Sequence, residues 1–284
     1  MKVLLAGATG YLGGYIYKEL RKRNYDVKVV ARKPEKLGGK NIRPEELLRA
    51  EVTKAESIKG CCEGCDAVIT SVGITRQRDG LTYMDVDYGA NLNLLNEALE
   101  SGVKKFIYVS VFKGEELRSL KICEAKEKFV DRLKESGLNY CVIRPNGFFS
   151  DMTEFYSMAK SGRVYVLGSG EQKTNPIHGE DLAIVCVDAL DKNEKVIEAG
   201  GPEILSQNEV ALAAFEAAGN KPKIVHIPGW MTKIILGTAR VFTSSKIYGP
   251  VEFFLTAGYM NLVAPNYGNH TLINYYKELN AKGN

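Results

Sequence analysis

The segment GATGYLGG, residues 7–14, constrains the fold more than any other stretch of the chain. It follows the apolar run KVLLA and leads into a helical pattern, with Gly7, Gly10 and Gly13 three residues apart. Glycines at this spacing allow a tight turn and a close backbone approach to a pyrophosphate, which the first N–H groups of the following helix then face. The segment therefore predicts a dinucleotide-binding strand–turn–helix, with a turn that binds nothing as the alternative.

Short apolar runs alternate with helical patterns up to about residue 150. Runs such as DAVITSVG and KKFIYVSV are too short for buried helices and carry few charges, which is typical of strands in a parallel sheet. We predict an α/β protein with a doubly wound parallel sheet, a Rossmann fold, over residues 1–150 and 176–200. Residues 151–175 and 201–284 are predicted to form a smaller C-terminal α/β substrate lobe at the carboxyl edge of the sheet.

The charge balance and the cysteine pattern narrow the class of protein. The 284 residues carry a net charge of +4, with Lys and Arg interspersed among Asp and Glu, which does not predict a nucleic-acid surface. No apolar run approaches the roughly 20 residues of a spanning helix, and glycines interrupt the N-terminal run before it resembles a signal peptide. Six scattered cysteines, including Cys62 and Cys65 of CCEGC, lack the second ligand pair of a structural zinc site. We expect buried thiols, no metal and a cytoplasmic setting.

The end of the second apolar run indicates which dinucleotide binds. A carboxylate at that position would bind the ribose 2′-hydroxyl of NAD. The run VKVVAR ends instead in Arg32, followed by Lys33, and the first acid is Glu35. Two cations suit a 2′-phosphate and favour NADP(H) over NAD(H), with a solvated basic loop as the alternative.

Four further segments, together with the glycine turn, resemble the short-chain dehydrogenase/reductase superfamily, and specifically its atypical branch. They are EVTKAESIKGCCEGCDAVITSVG, DVDYGANLNLLNEALESGVKKFIYVSV, NYCVIRPNGFF and NPIHGEDLA, and the similarity extends from Met1 to about Ala199. The branch includes isoflavone-reductase-like and divinyl-chlorophyllide-reductase-like enzymes and nitrogen-metabolite-repressor-like redox sensors. The combination is specific for the family and not for a substrate.

The resemblance implies roles for individual residues. The pyrophosphate turn, the acid-plus-apolar pair beside the adenine, the end of the fourth strand and the residues flanking the nicotinamide would bind the cofactor. These residues are Gly7, Thr9, Gly10, Tyr11, Leu12, Gly13, Glu51, Val52, Ser71, Val72, Gly73, Pro145 and Asn146. Lys126 corresponds to the lysine of the family's Tyr-x-x-x-Lys pair, which also contacts the cofactor, and Ser110 corresponds to the active-site serine or its substitute.

The chain departs from the family pattern at Ile122, four residues before Lys126, where the family keeps a tyrosine. That tyrosine shares a helix face with the lysine and protonates a carbonyl oxygen, whereas isoleucine has no proton to give. The isoflavone-reductase-like branch also lacks the tyrosine and keeps a lysine, so reduction stays open, with Lys126 or Ser110 as the proton source. Alternatively, Lys126 contacts only the ribose or solvent, and Ser110 only satisfies backbone groups.

Two functions from different classes follow from these residues. The first is an NADP-dependent oxidoreductase that transfers hydride from NADPH to an activated C=C or C=O of a hydrophobic small molecule. The second is a non-catalytic NADP(H)-binding redox sensor or an assembly factor for a larger complex. The retained Lys126 favours the enzyme, and Ile122 favours the binding protein.

Two segments after residue 170 carry further candidates. IPGWMTKIILGTARVF, residues 227–242, is apolar apart from Lys233 and Arg240. It is interpreted either as a buried helix of the small lobe or as a segment that covers a substrate, contacts a membrane surface or packs between subunits. His178 of NPIHGEDLA is a candidate acid, with a structural role at a helix start as the alternative.

Overall fold

The computed structural model describes residues 1–37, 43–74 and 80–282, and the chain divides into two compact units. The first unit is Met1–Arg144 with Leu182–Ile197, and the second is Pro145–Asp181 with Glu198–Asn284. The chain therefore passes from one unit to the other after residues 144, 181 and 197. The sequence places the corresponding crossings near residues 150, 176 and 200.

The secondary-structure elements alternate in the first half of the chain and become mainly helical in the second. In chain order they are β1 (Lys2–Ala6), α1 (Tyr11–Lys22), β2 (Asp26–Ala31), β3 (Leu47–Arg49), α2 (Ala55–Ile58), β4 (Ala67–Thr70), a π-helical segment (Met84–Ala90), α3 (Asn91–Glu100), β5 (Lys105–Val109), α4 (Lys121–Glu135), β6 (Asn139–Pro145), α5 (Phe149–Lys160), β7 (Val164–Leu167), β8 (Lys173–Thr174), α6 (Gly179–Asp188), β9 (Val196–Ala199), β10 (Leu205–Ser206), α7 (Gln207–Ala218), β11 (Ile224–Ile227), α8 (Gly229–Phe242), α9 (Ser245–Gly258) and α10 (Leu272–Lys282). Short 3-10 turns lie at Pro34–Leu37 and Pro44–Glu46.

Seven parallel strands of the described chain form the central sheet, in the order β3-β2-β1-β4-β5-β6-β9. The chain reverses its direction of travel across the sheet between β1 and β4, and ligands bind at such a switch point, outside the carboxyl ends of the strands. Every residue of β4 and β5 is buried, because helices cover both faces of a parallel sheet. The predicted doubly wound sheet is confirmed, and β9 joins it as expected.

The core of the first unit lies between the sheet and the helices α3 and α4. Its members include Leu4, Val68, Phe106, Tyr108 and Phe129. All six cysteines are buried thiols, as their scattered positions in apolar runs indicate.

The π-helical segment leads directly into α3. The sequence did not indicate this π-helical segment. The wider π-helical turn alters the backbone hydrogen bonds of the Val86 and Asp87 carbonyls. The carboxamide of buried Asn91 donates to both carbonyls, at 3.3 Å to Val86 and 3.0 Å to Asp87. A π-helical turn costs hydrogen-bond geometry and is found mostly at functional sites. Here it determines the position of Asp87.

The second unit has two small sheets and a helical core. β10 pairs with β8 in antiparallel fashion and β11 pairs with β7 in parallel, while α5, α7 and α10 enclose large side chains such as Phe149, Phe215 and Tyr276. A capping box begins α7, since the Glu209 N–H donates to Ser206 Oγ and the Ser206 N–H donates to the Glu209 carboxylate (2.7 Å), a contact that the spacing of Ser206 and Glu209 in the sequence indicates.

Gly229–Phe242 forms the helix α8, after Ile227 at the end of β11, but the interpretation of this segment as a buried helix is wrong. In α8 the single buried side chain is that of Thr232, and the apolar residues Trp230, Val241 and Phe242 are exposed. Within the described chain, no helix combines the length and the apolar character that crossing a bilayer requires.

Candidate cofactor and active site

The turn between β1 and α1 has the geometry of an anion-binding loop. Gly7 has a φ of +94°, and a Cβ there would lie 2.6 Å from Ser71 Oγ. The Gly10 N–H donates to the Gly7 carbonyl (2.9 Å), and a Cβ on Gly13 would collide with that carbonyl. Gly10 is the N-cap of α1 and supplies no side-chain cap. The backbone N–H groups of the turn therefore fit the pyrophosphate of a dinucleotide.

The other predicted residues of the turn are placed around the start of α1. Thr9 is exposed, and Tyr11 is half-buried with its ring edge-to-face against Tyr15 (5.4 Å between centroids). Leu12 is buried, so its side chain anchors the helix start in the core and its backbone N–H belongs to the turn.

The basic pair after β2 lies beside an acid. Arg32 Nη1 is 3.3 Å from Glu51 Oε2, and Lys33 is exposed. Val52 packs at the edge of the core, and its carbonyl accepts a hydrogen bond from Asn93 (3.1 Å). The structure thus brings the predicted phosphate-binding cation and the predicted adenine-side acid together, a pairing that the sequence did not indicate.

The carboxyl end of β4 is held in place by Asn91. Its side-chain oxygen accepts from Thr70 Oγ1 (2.7 Å), and its side-chain nitrogen donates to the Val72 carbonyl (3.1 Å). The same side chain bonds the π-helical segment, so one buried amide ties Ser71, Val72 and Gly73 to the turn that carries Asp87. Asn91 is a positioning residue that sequence reasoning missed.

Lys126 and Asp87 form an ion pair directly over Gly73. Lys126 Nζ lies 2.7 Å from Asp87 Oδ1, and the Ile74 N–H donates to Asp87 Oδ2 (3.2 Å). The Asp87 side chain is fully buried and that of Lys126 is 12% exposed. A Cβ at position 73 would lie 2.7 Å from the Asp87 oxygen and 2.9 Å from the Lys126 nitrogen, so only glycine allows this approach.

The pair keeps Lys126 charged. Burial alone would lower the pKa of the Lys126 ammonium, but the adjacent Asp87 carboxylate raises that pKa above its ordinary value. Burial raises the pKa of Asp87, and the Lys126 ammonium opposes that rise. Burial of Lys126 therefore does not produce a lysine with a lowered pKa at this site. Lys126 holds a proton at Nζ throughout the neutral range.

Tyr108 lies beside Lys126 at the end of β5. The Lys126 ammonium is 5.8 Å from the centroid of the Tyr108 ring, and the ring packs edge-on against Phe129 (4.6 Å). Within the described chain, the buried Tyr108 hydroxyl has no hydrogen-bond partner. Burial raises the pKa of this phenol, so it stays protonated.

Replacing Tyr108 with phenylalanine is expected to raise the free energy of unfolding by about 1 kcal/mol, because an unsatisfied buried hydroxyl costs about that much. Urea denaturation measures the change. Tyr276→Phe is the matched control, since the buried Tyr276 hydroxyl donates to the Met152 carbonyl (2.8 Å) and its removal should lower stability by a similar amount. A loss of stability in Tyr108→Phe would show that the Tyr108 hydroxyl is satisfied in solution.

Ser110 is committed to a different carboxylate. Its Oγ donates to Glu127 Oε1 (3.1 Å), and Glu127 also accepts two hydrogen bonds from the guanidinium of Arg144 (2.7 and 2.8 Å). Ser110, Glu127 and Arg144 are all buried. The structure thus places Ser110 in a buried ionic network, whereas Lys126 lies at the end of β4.

Pro145 and Asn146 begin the second unit. Pro145 is the last residue of β6. The carboxamide nitrogen of Asn146 donates to Asn175 Oδ1 (2.7 Å) and to the Leu262 carbonyl (2.6 Å), and its backbone N–H donates to the Ala199 carbonyl (2.8 Å). In the described chain Asn146 therefore links three segments of its own unit, two through its side chain and one through its backbone N–H.

Comparison with protein families shows which class of cofactor the family of this chain binds. The family described as NAD(P)H-binding matches residues 7–193, which include the glycine turn and the Lys126 helix. The chain belongs to this NAD(P)H-binding family.

Two kinds of relative match most of this NAD(P)H-binding chain. The divinyl chlorophyllide a 8-vinyl-reductase of Arabidopsis thaliana is 27% identical over an alignment that covers 100% of this chain and 78% of the relative. The photosystem II assembly factor Ycf39 of Trieres chinensis is 25% identical, with 89% of this chain and 77% of the relative covered. The likeness to divinyl-chlorophyllide-reductase-like proteins that the motifs indicate is confirmed.

Solved structures share the fold at lower identity. An NADPH-dependent quinone oxidoreductase from Escherichia coli, in complex with NADPH, has a TM-score of 0.77 at 17% identity and covers 98% of this chain and 99% of its own. The UDP-glucose 4-epimerase of Thermus thermophilus, in complex with NAD, has a TM-score of 0.64 at 20% identity, with 80% of this chain and 86% of its own covered. One of these neighbours binds NADPH and the other binds NAD, so they establish the fold and leave the cofactor preference open.

A second titratable cluster of the NAD(P)H-binding protein lies in its second unit. The rings of His178 and His270 stack with centroids 4.3 Å apart and planes 27° apart. His270 Nδ1 lies 2.8 Å from Asp181 Oδ1, and the Glu180 N–H donates to His178 Nδ1 (3.3 Å). Burial lowers the pKa of His178, and the nearby His270 lowers it further. His178, Glu180 and His270 bring one possible metal-ligating atom each to within 4.8 Å of one another, and the same contacts also fit a structural role at the start of α6.

Proposed function

We propose that the protein is an NADPH-dependent reductase that acts on an activated C=C or C=O of a hydrophobic small molecule, without the usual tyrosine acid. The observation that carries the proposal is the buried Lys126 ammonium, held by Asp87 at the carboxyl end of β4. A buried ion pair contributes little net stability and often costs some, so its presence at the ligand-binding edge of a parallel sheet favours a functional role.

The cofactor-binding residues of the proposal all belong to the first unit. The glycine turn and the N-terminus of α1 would hold the pyrophosphate, and Arg32 with Lys33 would face the 2′-phosphate. When bound, NADPH supplies a hydride from its reduced nicotinamide.

Lys126 supplies the proton that reduction also requires. Its Nζ carries three protons, and the Asp87 carboxylate orients the ammonium and stabilises its charge. Donation from Nζ leaves a neutral amine beside a buried carboxylate, so the ammonium re-forms readily from solvent protons. Ser110 has a smaller part in this proposal than the sequence suggested, because its hydroxyl donates to Glu127.

The proposed substrate class follows from the relatives that match the whole chain. Divinyl chlorophyllide reductases act on a vinyl group, as their name states, and the quinone oxidoreductase that shares the fold is NADPH-dependent. We therefore propose a conjugated, largely apolar acceptor in which the double bond that takes up the hydride is activated by an adjacent π-system.

Turnover of NADPH against a panel of acceptors tests the proposal. Absorbance at the NADPH band is followed with divinyl chlorophyllide a, a quinone, an enone and an aldehyde. Oxidation by at least one of the first three supports the reductase. Tight NADPH binding with no oxidation on any acceptor would overturn it.

Cofactor preference has a separate test at Arg32. Arg32→Ala is expected to weaken NADPH binding about 10- to 100-fold, as loss of a charge-assisted phosphate contact does, and to leave NADH binding unchanged. Glu51→Gln is expected to tighten NADPH binding, because it removes the carboxylate that now pairs with Arg32. Calorimetry measures both, with Arg49→Ala at an exposed arginine of β3 as the control. Equal losses for NADPH and NADH in Arg32→Ala contradict the assignment.

A second candidate is a non-catalytic NADP(H)-binding sensor or assembly factor. The observation that favours it is the replacement of the tyrosine by Ile122, which is buried in α4. Relatives of this second kind also match most of the chain. In the acceptor assay this candidate predicts cofactor binding without turnover.

A further inference from the structure

The outward face of α8 is apolar, which is the reverse of what a helix at a water-exposed surface normally shows. Trp230, Ile234 and Val241 are 64%, 56% and 75% exposed, and Phe242 is 83% exposed. A surface helix places apolar residues toward the core and polar residues outward. A contiguous exposed apolar face marks a surface that meets a partner or a membrane.

Helix geometry shows that these residues form a stripe. At 3.6 residues per turn, positions 230, 234 and 241 point in nearly the same direction, while positions 232, 236 and 239 point the opposite way. Thr232 is buried and its hydroxyl lies 3.0 Å from the Tyr259 hydroxyl, and Leu236 and Ala239 are half-buried. The inward side of α8 therefore already has its partners in the unit, and the apolar stripe lies at the pole furthest from them.

The sequence around α8 has an excess of positive charge. No acidic residue occurs between Glu216 and Glu252, whereas five basic residues do: Lys221, Lys223, Lys233, Arg240 and Lys246. Within α8 the charged side chains are Lys233 and Arg240, seven residues apart and thus on one flank of the stripe. Arg240 also pairs with Glu252. Cations that flank an apolar stripe can extend their amino and guanidino groups toward phosphates while their methylene groups stay in apolar surroundings.

We propose that α8 binds the surface of an anionic lipid bilayer, with Trp230, Ile234, Val241 and Phe242 inserted at the headgroup–acyl boundary and Lys233 and Arg240 directed to lipid phosphates. Tryptophan is enriched at this boundary, and the combination of an apolar face with flanking cations is typical of helices that lie in the membrane plane. At 14 residues α8 is about 21 Å long, which suits a position along the surface rather than across the bilayer.

The charge distribution argues against a second copy of the chain as the occupant. A two-fold contact through this face would bring the same excess of cations from both copies together, with no acidic residue between Glu216 and Glu252 to offset them. An anionic lipid surface supplies the complementary charge, and each basic residue near such a surface strengthens binding about fivefold. The proposal does not depend on the reductase activity.

Trp230 provides a direct readout because it is the protein's one tryptophan. The full-length protein is mixed with phosphatidylcholine vesicles and with vesicles in which about a third of the lipid is phosphatidylserine. We expect a blue shift of the tryptophan emission and co-flotation with the anionic vesicles, both weakened at about 1 M salt, where charge interactions are screened within about 3 Å.

Variants distinguish vesicle binding through the α8 face from nonspecific binding through other exposed residues. Ile234→Ser/Val241→Ser is expected to weaken binding to the anionic vesicles at least tenfold, and Lys233→Glu severalfold. Ile204→Ser/Leu212→Ser, at exposed apolar positions elsewhere in the second unit, and Lys54→Glu, at an exposed lysine of the first unit, are the matched controls. NADPH binding by each variant shows that it has folded.

Three outcomes would overturn the proposal. One is the absence of binding to anionic vesicles. The second is binding that the Ile234→Ser/Val241→Ser variant retains in full. The third is a protein that ignores vesicles but self-associates in sedimentation, with the same variant restoring the monomer, which would assign the face to a second copy.

Discussion

Replacing Lys126 with methionine is expected to lower NADPH turnover about 100- to 10,000-fold, the range typical for loss of a general acid. Methionine matches the length of the lysine chain and removes the ammonium that Asp87 holds at 2.7 Å. NADPH binding should weaken much less than turnover, since the glycine turn and the Arg32 region remain. Steady-state kinetics and calorimetry on the same preparation separate the two effects.

Three companion variants make the Lys126 result specific. Lys128→Met changes an exposed lysine of the same helix and should leave turnover within about twofold of wild type. Lys126→Arg keeps a cation beside Asp87 and should restore the fold without full activity, because the planar guanidinium does not reproduce the position and direction of the Nζ protons. Asp87→Asn/Lys126→Met removes both charges and controls for the burial of an unpaired carboxylate. Turnover that survives Lys126→Met contradicts the proton-donor role.

The pH profile of turnover distinguishes a charged Lys126 from a neutral one. The raised pKa of Lys126 means that the donor form is complete below the ordinary lysine value of about 10.4 and is lost only as pH rises beyond it. Deprotonation of Lys126 should therefore cause no fall in turnover between pH 7 and about pH 9. A fall with a midpoint near neutrality would show a lysine with a lowered pKa.

Replacing Glu127 with glutamine is expected to lower the free energy of unfolding by about 3–5 kcal/mol. The Glu127 side chain is fully buried and that of Arg144 is 5% exposed, so the variant removes the buried carboxylate that accepts two of the guanidinium's hydrogen bonds. Arg144 keeps its contact with the exposed Glu115 carboxylate (3.1 Å), which offsets only part of the loss because solvent screens it. Glutamine keeps one side-chain oxygen, for which the Ser110 hydroxyl and the Arg144 guanidinium then compete. Urea denaturation followed by circular dichroism measures the change.

The control for Glu127 lies on the same helix. Glu124 is exposed and pairs with Lys121 at 2.8 Å, so Glu124→Gln should change the free energy of unfolding by less than about 0.5 kcal/mol. Glu127→Leu/Arg144→Met removes both charges and should recover part of the loss, because apolar residues pack well where a buried pair is replaced as a unit. A loss below about 1 kcal/mol in Glu127→Gln would mean that water reaches Arg144.

The parts of the molecule that the sequence predicted correctly are those that local backbone chemistry controls. The glycine spacing predicts the turn after β1 because a positive φ at Gly7 and close approach at Gly13 exclude other residues. The apolar runs predict the parallel strands because strands covered on both faces need continuous hydrophobic sequence. The Ser206–Glu209 capping box is likewise a contact over three residues.

The sequence identified only one of the two residues of the ion pair in the candidate active site. Lys126 could be found from its place relative to Ile122, but its partner Asp87 could not, because a π-helical turn and the Asn91 amide together bring Asp87 to that position. The pairing of Arg32 with Glu51 and the bond of Ser110 to Glu127 also join residues from different elements. For Lys126 the partner decides the direction of the pKa shift, since burial and the neighbouring carboxylate act in opposite senses.

For α8, too, the sequence determines that a helix forms and the tertiary structure determines which face is exposed. Its sequence is apolar on nearly every side, so periodicity predicts a helix and cannot select the face that packs. Sequence alone therefore determined the Rossmann sheet, the cofactor turn and the missing tyrosine. Tertiary structure alone decided that Asp87 raises the pKa of Lys126 and that Trp230 faces outward, because both depend on which distant side chains surround a residue.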